Sequence, residues 1–451
     1  MSKLFGTDGV RGIANRELTC ELAIKIGKAA AIVLSGDLKI RKPKILIGKD
    51  TRISSDMLEA ALLSGICSYG AEGISLGVIP TPAVSYLVRK YQADAGIMIS
   101  ASHNSFEFNG IKLFDKDGYK LSDETEKEIE KLVLNKDLEH YNLPIGEKLG
   151  AITKCNSAVD DYVEYLSSTA NVFGDNIKIL VDCANGCACA TAKKLFKKLK
   201  INAEIIFDSP NGININEKCG STHLENLQKN VVKNNCDLGI AFDGDADRCI
   251  AVDENGRIID GDVIMAICAK SLKSAGKLKN NTLVATIMSN MGLKIFCQEN
   301  NIKFSETKVG DRYVLEKMKS ENYILGGEQS GHVIFLDYSR SGDGELTAIQ
   351  LLNIIKRSGK KISELANEMK KYPQKSGELI INISQKGALE KNENIKKYIS
   401  DKTEQLGSSG RIVIRESGTE PKIRIMFEHE NESMLDTLIE EAKSVIQDNL
   451  K

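Results

Sequence analysis

Short apolar runs alternate with segments of helical periodicity along most of the chain. Residues 44–48 and 73–79 are apolar runs typical of buried strands, and residues 54–69 between them carry apolar side chains at helical spacing. The same alternation starts again near residue 176 and once more after residue 256. Strands separated by helices of this length favour parallel β-α-β units with right-handed crossovers. The pattern therefore predicts three α/β units in tandem, without repetition at the level of single residues.

The pattern changes after Pro373, where strand-like segments dominate. Residues 377–383, 411–415 and 422–427 read as strands, and residues 433–447 carry helical periodicity. Such a mixture favours a smaller α+β domain at the end of the chain. The predicted domains are residues 1–150, 151–254, 255–370 and 371–451.

Composition narrows the class of protein without identifying it. A chain of 451 residues is too long to form a single hydrophobic core. Its 61 basic and 62 acidic residues give a formal net charge of −1. No basic block favours nucleic acid or an anionic membrane as partner. The eleven cysteines, together with a polar N-terminus and no membrane-length apolar run, favour the cytoplasm. Cys183, Cys187 and Cys189 lack a second metal-binding pair, so we interpret them as buried thiols.

The first candidate for chemistry is Ser102, in the sequence Ser100-Ala101-Ser102-His103-Asn104. It follows the apolar residues 95–99, so a buried strand is expected to present it on a loop. His103 and the later Lys112 add an imidazole and an ammonium, which we expect on the same loop. Together these groups could carry a phosphoryl group and move protons. A serine that caps an ordinary turn is the alternative.

The second candidate is the acidic sequence from Asp243 to Arg248, between the apolar residues 238–242 and 249–252. The aspartates at 243, 245 and 247 fall on one side of a nearly extended turn. Three crowded carboxylates repel each other unless a cation lies among them, and oxygen ligands select a hard ion such as Mg²⁺. An EF-hand is excluded because Arg248 stands where that loop requires glycine. A solvated acidic turn is the alternative.

The third candidate is the stretch from Gly326 to His332, in which glycines bracket Glu328, Gln329 and Ser330. Glycines let a loop approach a ligand closely, and carboxylate and hydroxyl groups suit the hydroxyls of a sugar. An ordinary hairpin turn is the alternative.

The fourth candidate is the stretch from Arg415 to Arg424, where two arginines flank the Ser417-Gly418-Thr419 core. Guanidinium groups match phosphate oxygens bidentately, so this stretch is a candidate anion cradle. A charged turn on a solvated face is the alternative.

Taken together and in this order, the four motifs resemble those of the α-D-phosphohexomutase family over nearly the whole chain. The resemblance implies three tandem α/β domains of similar topology and a smaller C-terminal α+β domain that closes over the substrate phosphate. It also implies an isomerase that moves a phosphoryl group within a phosphosugar through an active-site phosphoserine and a bisphosphorylated intermediate. One Mg²⁺ per subunit is the implied cofactor.

The resemblance also assigns roles to single positions. It implies that Ser102 is the phosphoserine and that Ser102, Asp243, Asp245 and Asp247 surround the Mg²⁺. The implied substrate-binding positions are Glu328, Ser330, His332, Arg415, Ser417, Gly418, Thr419 and Arg424. The candidates for proton transfer and for steadying charged oxygens are His103, Lys112, Arg11 and Arg248. Two departures from the family pattern, Ser105 and Glu416, are expected to loosen their loops.

Four stretches resemble the branch of the family that acts on amino sugars: residues 5–12, 288–293, 308–313 and 327–332. This resemblance implies interconversion of glucosamine 6-phosphate and glucosamine 1-phosphate, a step that feeds UDP-N-acetylglucosamine synthesis. A kinase or a hexose or hexosamine 1,6-bisphosphate would first phosphorylate Ser102. The expected partner is the small phosphosugar, with neither nucleic acid nor membrane, and the protein is a monomer or a homodimer.

Three alternatives stay open at this point. A phosphomannomutase or phosphoglucomutase would act on neutral hexose phosphates through the same groups. A metal-dependent sugar phosphatase would release free phosphate without isomerising the sugar. A silent regulator would bind phosphosugars and carry no phosphate on Ser102.

Overall fold

In the computed structural model the chain forms four β-sheets, each covered by helices. The structure describes residues 4–6, 8–34, 42–135, 138, 143–174, 176–382, 385, 387–417 and 422–450. No helix among these residues is long and apolar enough to cross a membrane. The predicted fold class, three α/β units followed by a smaller α+β unit, is confirmed.

The first unit is a six-stranded sheet in the order β1-β5-β4-β2-β3-β6. Its central strands β4, β2 and β3 run parallel, whereas β5 returns antiparallel to β4 and pairs with β1. The elements are β1 (Val10–Ile13), α1 (Cys20–Leu34), β2 (Lys44–Lys49), α2 (Ile53–Ser68), β3 (Glu72–Val78), α3 (Thr81–Lys90), β4 (Ala95–Ile99), β5 (Phe108–Phe114), α4 (Asp123–Leu134) and β6 (Ile152–Lys154).

The second unit is a five-stranded sheet in the order β11-β10-β9-β7-β8. Strands β8, β7 and β9 are parallel, and β10 returns antiparallel to β9. The elements are α5 (Ala158–Ser168), β7 (Lys178–Asp182), α6 (Ala192–Leu199), β8 (Asn202–Ile206), α7 (Glu225–Lys233), β9 (Leu238–Phe242), β10 (Cys249–Asp253) and β11 (Ile258–Ile259).

The third unit is a four-stranded sheet in the order β13-β12-β14-β15, with β15 antiparallel to β14. The elements are α8 (Gly261–Ser274), β12 (Thr282–Thr286), α9 (Met291–Glu299), β13 (Lys303–Thr307), α10 (Asp311–Glu321), β14 (Leu325–Gly327), β15 (Val333–Phe335), α11 (Gly344–Ser358) and α12 (Ile362–Ala366).

The last unit is an antiparallel sheet in the order β16-β18-β17, backed by two helices. It has a hydrophobic core of its own, in which Ile395 and Ile425 are fully buried. The elements are β16 (Gln374–Ile380), α13 (Glu393–Leu406), β17 (Gly410–Glu416), β18 (Lys422–His429) and α14 (Leu435–Asn449).

The first three units share one feature that positions the site. In each of them a parallel strand (β4, β9 or β14) turns directly into an antiparallel partner (β5, β10 or β15). The three turns contain Ser102, the Asp243–Asp247 carboxylates and Glu328, so the candidate groups occupy equivalent places in three sheets. The continuous parallel β-α-β pattern expected from the sequence is therefore interrupted at each functional turn.

Two carboxylates are buried where the second unit packs on the third. Glu345, in the first turn of α11, accepts a hydrogen bond from Thr191 Oγ1 at 2.8 Å, and Tyr162 donates to Asp343 at 2.8 Å. The second oxygen of Glu345 has no hydrogen-bond partner among the described residues. Burial raises the pKa of Glu345 to about 8, so this side chain is neutral at pH 7.

Glu345→Gln should therefore stabilise the protein increasingly as the pH rises from about 4.5 to about 8. Between pH 4.5, the ordinary value for glutamate, and about pH 8, the unfolded chain releases a proton that the folded chain retains. Rising pH across this window favours unfolding of the wild type, by roughly 2–5 kcal/mol at its upper end. We expect the melting temperature of the variant to match the wild type near pH 4.5 and to exceed it by several degrees at pH 8.5. The exposed Glu404→Gln is the control, and a pH-independent difference for Glu345→Gln would contradict the assignment.

Candidate active site

The three equivalent turns and the C-terminal sheet surround one cleft with a volume of about 880 Å³. Its walls combine acidic, basic and polar side chains from all four units, which suits a charged ligand with several hydroxyl groups. The lining includes Asp8, Arg11, Asn104, Asp247, Arg248, Asp311, Glu328, Gln329, Ser330, His332, Arg415 and Arg424.

Ser102 lies beside this cleft in a restricted backbone conformation. Its φ is +53°, in the left-handed region that a residue with a side chain adopts only when its surroundings hold it there. The side chain is buried, and Oγ donates to Asp243 Oδ2 at 2.5 Å and lies 3.3 Å from His103 Nδ1. The serine predicted from the strand-loop pattern therefore points directly at the acidic turn.

The backbone of the Ser102 loop is held by two residues that the sequence did not point to. Arg52, fully buried at the start of α2, donates to the carbonyl oxygens of Ser102, Asn104 and Phe108 at 2.9–3.0 Å and to that of Ser105. Asn216, from the second unit, donates to two of the same oxygens at 2.9 and 3.0 Å. The expected loosening at Ser105 is not seen, because Arg52 fixes the carbonyl of this residue.

Asp243, Asp245 and Asp247 fit a hard cation. They are all buried, and one oxygen from each lies within 4.8 Å of the others. Oδ1 of Asp245 and Oδ1 of Asp247 make no hydrogen bond with any described residue, which leaves two buried lone-pair donors for an ion. Burial and the two neighbouring carboxylates raise the pKa of Asp243 to about 8, a crowding of charge that a cation would relieve. These observations favour a metal site over a solvated turn.

Close packing brings the acidic turn against the serine loop. A Cβ atom at Gly244 would lie 2.5 Å from the carbonyl oxygen of Ser102, so only glycine fits at this position. Thr81, at the start of α3, donates to Asp245 Oδ2 at 2.6 Å and fixes its orientation. The first and second units therefore meet through the two turns that carry the candidate chemistry.

Lys112 and His103 differ in charge. Lys112 lies within β5, opposite Met98, and not on the Ser102 loop as expected; the antiparallel return of the chain carries its side chain to the acidic turn. Its Nζ lies 2.8 Å from Asp245 and 3.5 Å from Asp247. Burial opposes its charge, but the surrounding carboxylates raise the pKa of Lys112 well above its ordinary value. For His103, burial and the nearby arginines lower the pKa to about 4, so this imidazole is neutral at pH 7.

Arg11 and Arg248 line the cleft on either side of these groups. Arg248 Nε lies 3.9 Å from Asp247 and 4.0 Å from Asp243, and Arg11 pairs with Asp8 through one terminal nitrogen. Nε of each arginine is buried without a hydrogen-bond partner in the described part of the chain. Both guanidinium groups therefore retain donors for the oxygens of a charged ligand.

The third turn places its polar groups on the opposite wall. Glu328 Oε1 accepts from the N–H of Gly310 at 3.0 Å, and burial raises the pKa of this carboxyl. Ser330 is exposed to the cleft, whereas His332 is buried and accepts from the N–H of Gly342 through Nε2 at 3.0 Å. Glu328 and Ser330 are thus available to a ligand, and His332 is largely used within the protein.

Arg415 and Arg424 are brought together by the ladder of the C-terminal sheet. They are direct cross-strand partners on β17 and β18, so two positive side chains share one face. Burial and Arg424 lower the pKa of Arg415, whose Nε is buried without a hydrogen-bond partner in the described residues. Like charges placed opposite each other are unfavourable unless an anion lies between them. Ser417 lies two residues after Arg415, and Gly418 and Thr419 lie outside the described residues.

Comparison with known proteins gives the same four-part division. Models of the family described as phosphoglucomutase/phosphomannomutase match the α/β/α domain I at residues 2–140, domain II at 160–256, domain III at 260–372 and the C-terminal domain at 378–444. The chain belongs to the phosphoglucomutase/phosphomannomutase family.

Relatives within the family extend over the full chain. A protein of Clostridium novyi named phosphoglucosamine mutase is 53% identical over 448 residues, which cover 99% of each chain. Another of that name, from Clostridium acetobutylicum, is 54% identical over 97% of each chain. Among solved structures, a phosphoglucomutase/phosphomannomutase family protein of Burkholderia thailandensis has a TM-score of 0.82 at 22% identity, covering all of this chain and 98% of that one.

Two further positions make contacts that the sequence did not indicate. Glu416 accepts from the N–H groups of Gly387 and Leu389 at 2.7 and 3.1 Å, so its side chain is held within the C-terminal unit. Asn290, in the 288–293 stretch, is fully buried and exchanges hydrogen bonds with the backbone of Tyr372 at 2.9 and 3.0 Å. The carbonyl of Ser289 accepts from Arg411 on β17 at 2.7 Å, so the 289–290 segment of this phosphohexomutase joins the third unit to the C-terminal sheet.

Proposed function

We propose that this phosphohexomutase interconverts glucosamine 6-phosphate and glucosamine 1-phosphate through phosphorylated Ser102. The observation that carries the proposal is the arrangement of the cleft, with a buried serine against three aspartates at one side and a pair of opposed arginines at another. This arrangement suits a ligand with two phosphoryl positions, one that reacts and one that is held. The amino-sugar assignment is supported by full-length relatives that bear the name phosphoglucosamine mutase.

In the proposed reaction the bond between phosphorus and Ser102 Oγ breaks while phosphorus bonds to the free hydroxyl oxygen of the sugar. Neutral His103, 3.3 Å from Oγ, is suited to accept the proton that this hydroxyl loses and to pass it to the departing Ser102 Oγ, so that no proton is gained or lost. The bisphosphorylated sugar then reorients in the cleft, and its other phosphoryl group is transferred to Ser102 with the reverse proton movement. Isomerisation therefore needs no net gain or loss of phosphate.

Charge neutralisation would come from the walls of the cleft. Asp243, Asp245 and Asp247, with an oxygen of the phosphorylated Ser102, are suited to hold Mg²⁺, which would neutralise the transferring phosphoryl group when bound. Arg11 and Arg248 would contact the oxygens of that group. Lys112 stays protonated and offsets the carboxylates around it, so we propose that it stabilises charge and does not act as a base.

The second phosphate would lie between Arg415 and Arg424, with Ser417, Gly418 and Thr419 completing the cradle. Binding energy at this distant phosphate would hold the reacting hydroxyl in line with Ser102, which lowers the barrier without new chemistry. Glu328 and Ser330 are suited to contact the ring, because the ammonium of glucosamine requires an acceptor. His332 would support the sugar-binding turn more than the sugar itself.

Competition between substrates tests the assignment. We expect kcat/KM for glucosamine 6-phosphate to exceed that for glucose 6-phosphate by about tenfold to a hundredfold. The preference is not absolute, because the ammonium of glucosamine and the hydroxyl of glucose can both donate a hydrogen bond to the same acceptor. An equal or higher value for glucose would replace the proposal with a phosphoglucomutase or phosphomannomutase. Release of inorganic phosphate without isomerised sugar would replace it with a sugar phosphatase. The source of the first phosphoryl group, the cytoplasmic location and the choice between monomer and homodimer stay predictions.

A further inference from the structure

Two carboxylates from different units face each other at the edge of the cleft, with one lysine between them. Nζ of Lys120 lies 2.5 Å from Asp8 Oδ1 and 2.5 Å from Asp311 Oδ2. Asp8 and Lys120 belong to the first unit, and Asp311 begins α10 of the third. The three side chains, which we name the Lys120 bridge, are only 14–22% exposed. Because both distances end on one nitrogen, the two carboxylate oxygens are at most about 5 Å apart.

A tight turn fixes the position of Lys120. Asp115 Oδ1 accepts from the N–H groups of Asp117 and Tyr119, both at 2.9 Å, and Lys120 then pairs with Phe114 in an isolated β-bridge. The turn requires glycine at position 118, where φ is +79° and a Cβ would lie 2.4 Å from a backbone oxygen. The backbone of Lys120 is therefore placed by this turn and not by the ions that its side chain contacts.

Each end of the bridge leads to a group in the candidate active site. On one side, Asp8 Oδ2 contacts Arg11 and lies 3.0 Å from Lys112 Nζ, which continues to the acidic turn. On the other side, Asp311 Oδ2 lies 3.5 Å from His332 Nε2, on the turn that carries the sugar-binding groups. Among described cations, Lys120 alone joins the carboxylates that orient these two sets.

We propose that Lys120 is a positioning residue for phosphoryl transfer. It holds Asp8 so that Arg11 and Lys112 face the reacting phosphoryl group, and it holds Asp311 so that the third turn stays at a fixed distance from Ser102. Without it, Asp311 loses its lysine partner while Asp8 keeps Arg11 and Lys112, so the two carboxylates repel each other across the cleft and shift the cations that Asp8 still contacts. The phosphate cradle of Arg415 and Arg424 lies in another unit and keeps its geometry. The proposal rests on the mutase activity proposed above.

Because the Lys120 bridge lies beside the reacting groups and the phosphate cradle lies in another unit, we expect Lys120 to affect kcat more than KM. We expect Lys120→Met to lower kcat about 30-fold while KM changes less than about threefold, because positioning, and not binding of the distant phosphate, is lost. Lys120→Arg should retain at least about a third of wild-type kcat, since a guanidinium can contact two carboxylates. The double variant Lys120→Met/Asp311→Asn should have a kcat at least about fivefold higher than that of Lys120→Met alone, because the uncompensated charge of Asp311 is removed.

The matched control is Arg312→Met, which breaks ion pairs between the same two units that do not involve Asp8 or Asp311. Arg312 lies 2.7 Å from Asp123 and 3.3 Å from Glu126. We expect this variant to lower the melting temperature as much as Lys120→Met does and to keep kcat within about twofold of the wild type. Equal loss of kcat in the control, or wild-type kcat in Lys120→Met, would overturn the positioning role. So would a Lys120→Arg variant no better than Lys120→Met.

The wild-type enzyme separates failure of this inference from failure of the proposed function. All variants are measured with glucosamine 6-phosphate and with glucose 1-phosphate, each in the presence of Mg²⁺. A wild type that turns over only the glucose substrate refutes the amino-sugar assignment, and the Lys120 bridge is then judged by the same kcat and KM criteria on glucose 1-phosphate. A wild type that isomerises neither substrate removes the activity on which the positioning role depends and overturns both.

Discussion

Ser102→Ala should reduce mutase turnover by at least about a thousandfold while leaving the fold unchanged. The hydroxyl is the group that would carry the phosphoryl between the two positions of the sugar, and no other described hydroxyl contacts Asp243. The loop itself should persist, because Arg52 and Asn216 bind its carbonyl oxygens and not its side chain. The measurements are turnover of glucosamine 6-phosphate and the far-ultraviolet circular dichroism spectrum of each purified protein.

Ser105→Ala is the matched control on the same loop. It removes a hydroxyl but keeps the carbonyl that Arg52 contacts, so turnover should stay within about threefold of the wild type. Intact mass gives a second readout, since the wild type incubated with a hexose 1,6-bisphosphate should gain one phosphoryl group and the Ser102→Ala variant none. Turnover above about a tenth of the wild-type value in the alanine variant would refute the nucleophile assignment.

Asp245→Asn should weaken Mg²⁺ binding at least about tenfold and lower turnover by about a hundredfold or more. The change removes one of three buried negative charges while leaving an oxygen for Lys112 and Thr81, so the turn itself can keep its shape. Wild-type activity should disappear in excess chelator and return with added Mg²⁺. Calorimetric titration with Mg²⁺ measures the affinity directly and does not depend on turnover.

Asp182→Asn provides the comparison for a buried carboxylate outside the acidic turn. Asp182 accepts from the N–H groups of Ala184 and Gly220 at 2.8 and 2.9 Å and contacts no group of the cleft. Its replacement should cost stability without changing the Mg²⁺ affinity. Full wild-type activity in excess chelator, or equal Mg²⁺ affinity in both variants, would contradict the metal assignment.

The sequence predicted the fold class and the places of the chemistry because both depend on local patterns. A buried strand ending in Ser102, and three aspartates at alternate positions between two apolar strands, are visible without coordinates. The resemblance of the whole set of motifs to one family then supplied the roles. A short local pattern was sufficient to locate a candidate site wherever all of its residues lie in one turn.

The residues that hold these turns were missed because their partners are far away in the chain. Arg52 contacts carbonyl oxygens about fifty residues later, and Lys120 contacts Asp311, 191 residues away. Neither arginine nor lysine stands out in a chain with 61 basic residues. The antiparallel return of β5 after the Ser102 loop was also missed, and for this reason Lys112 was expected on a loop. Only the folded arrangement shows which charges lie opposite each other.

The opposed arginines of the C-terminal sheet have a consequence for the stability of the empty enzyme. Arg415 and Arg424 place like charges opposite each other in a unit with its own small core, and Glu378 lies 3.5 Å from Arg424. A doubly charged phosphate removes the repulsion only when it is bound, so its binding energy adds to the folding energy of this unit by mass action. With the proposed substrate in this cradle, the metabolite pool would act as a stabiliser of the enzyme that consumes it. A cell depleted of phosphosugar would hold this unit nearer to local unfolding, and its protease sensitivity would follow the supply of substrate.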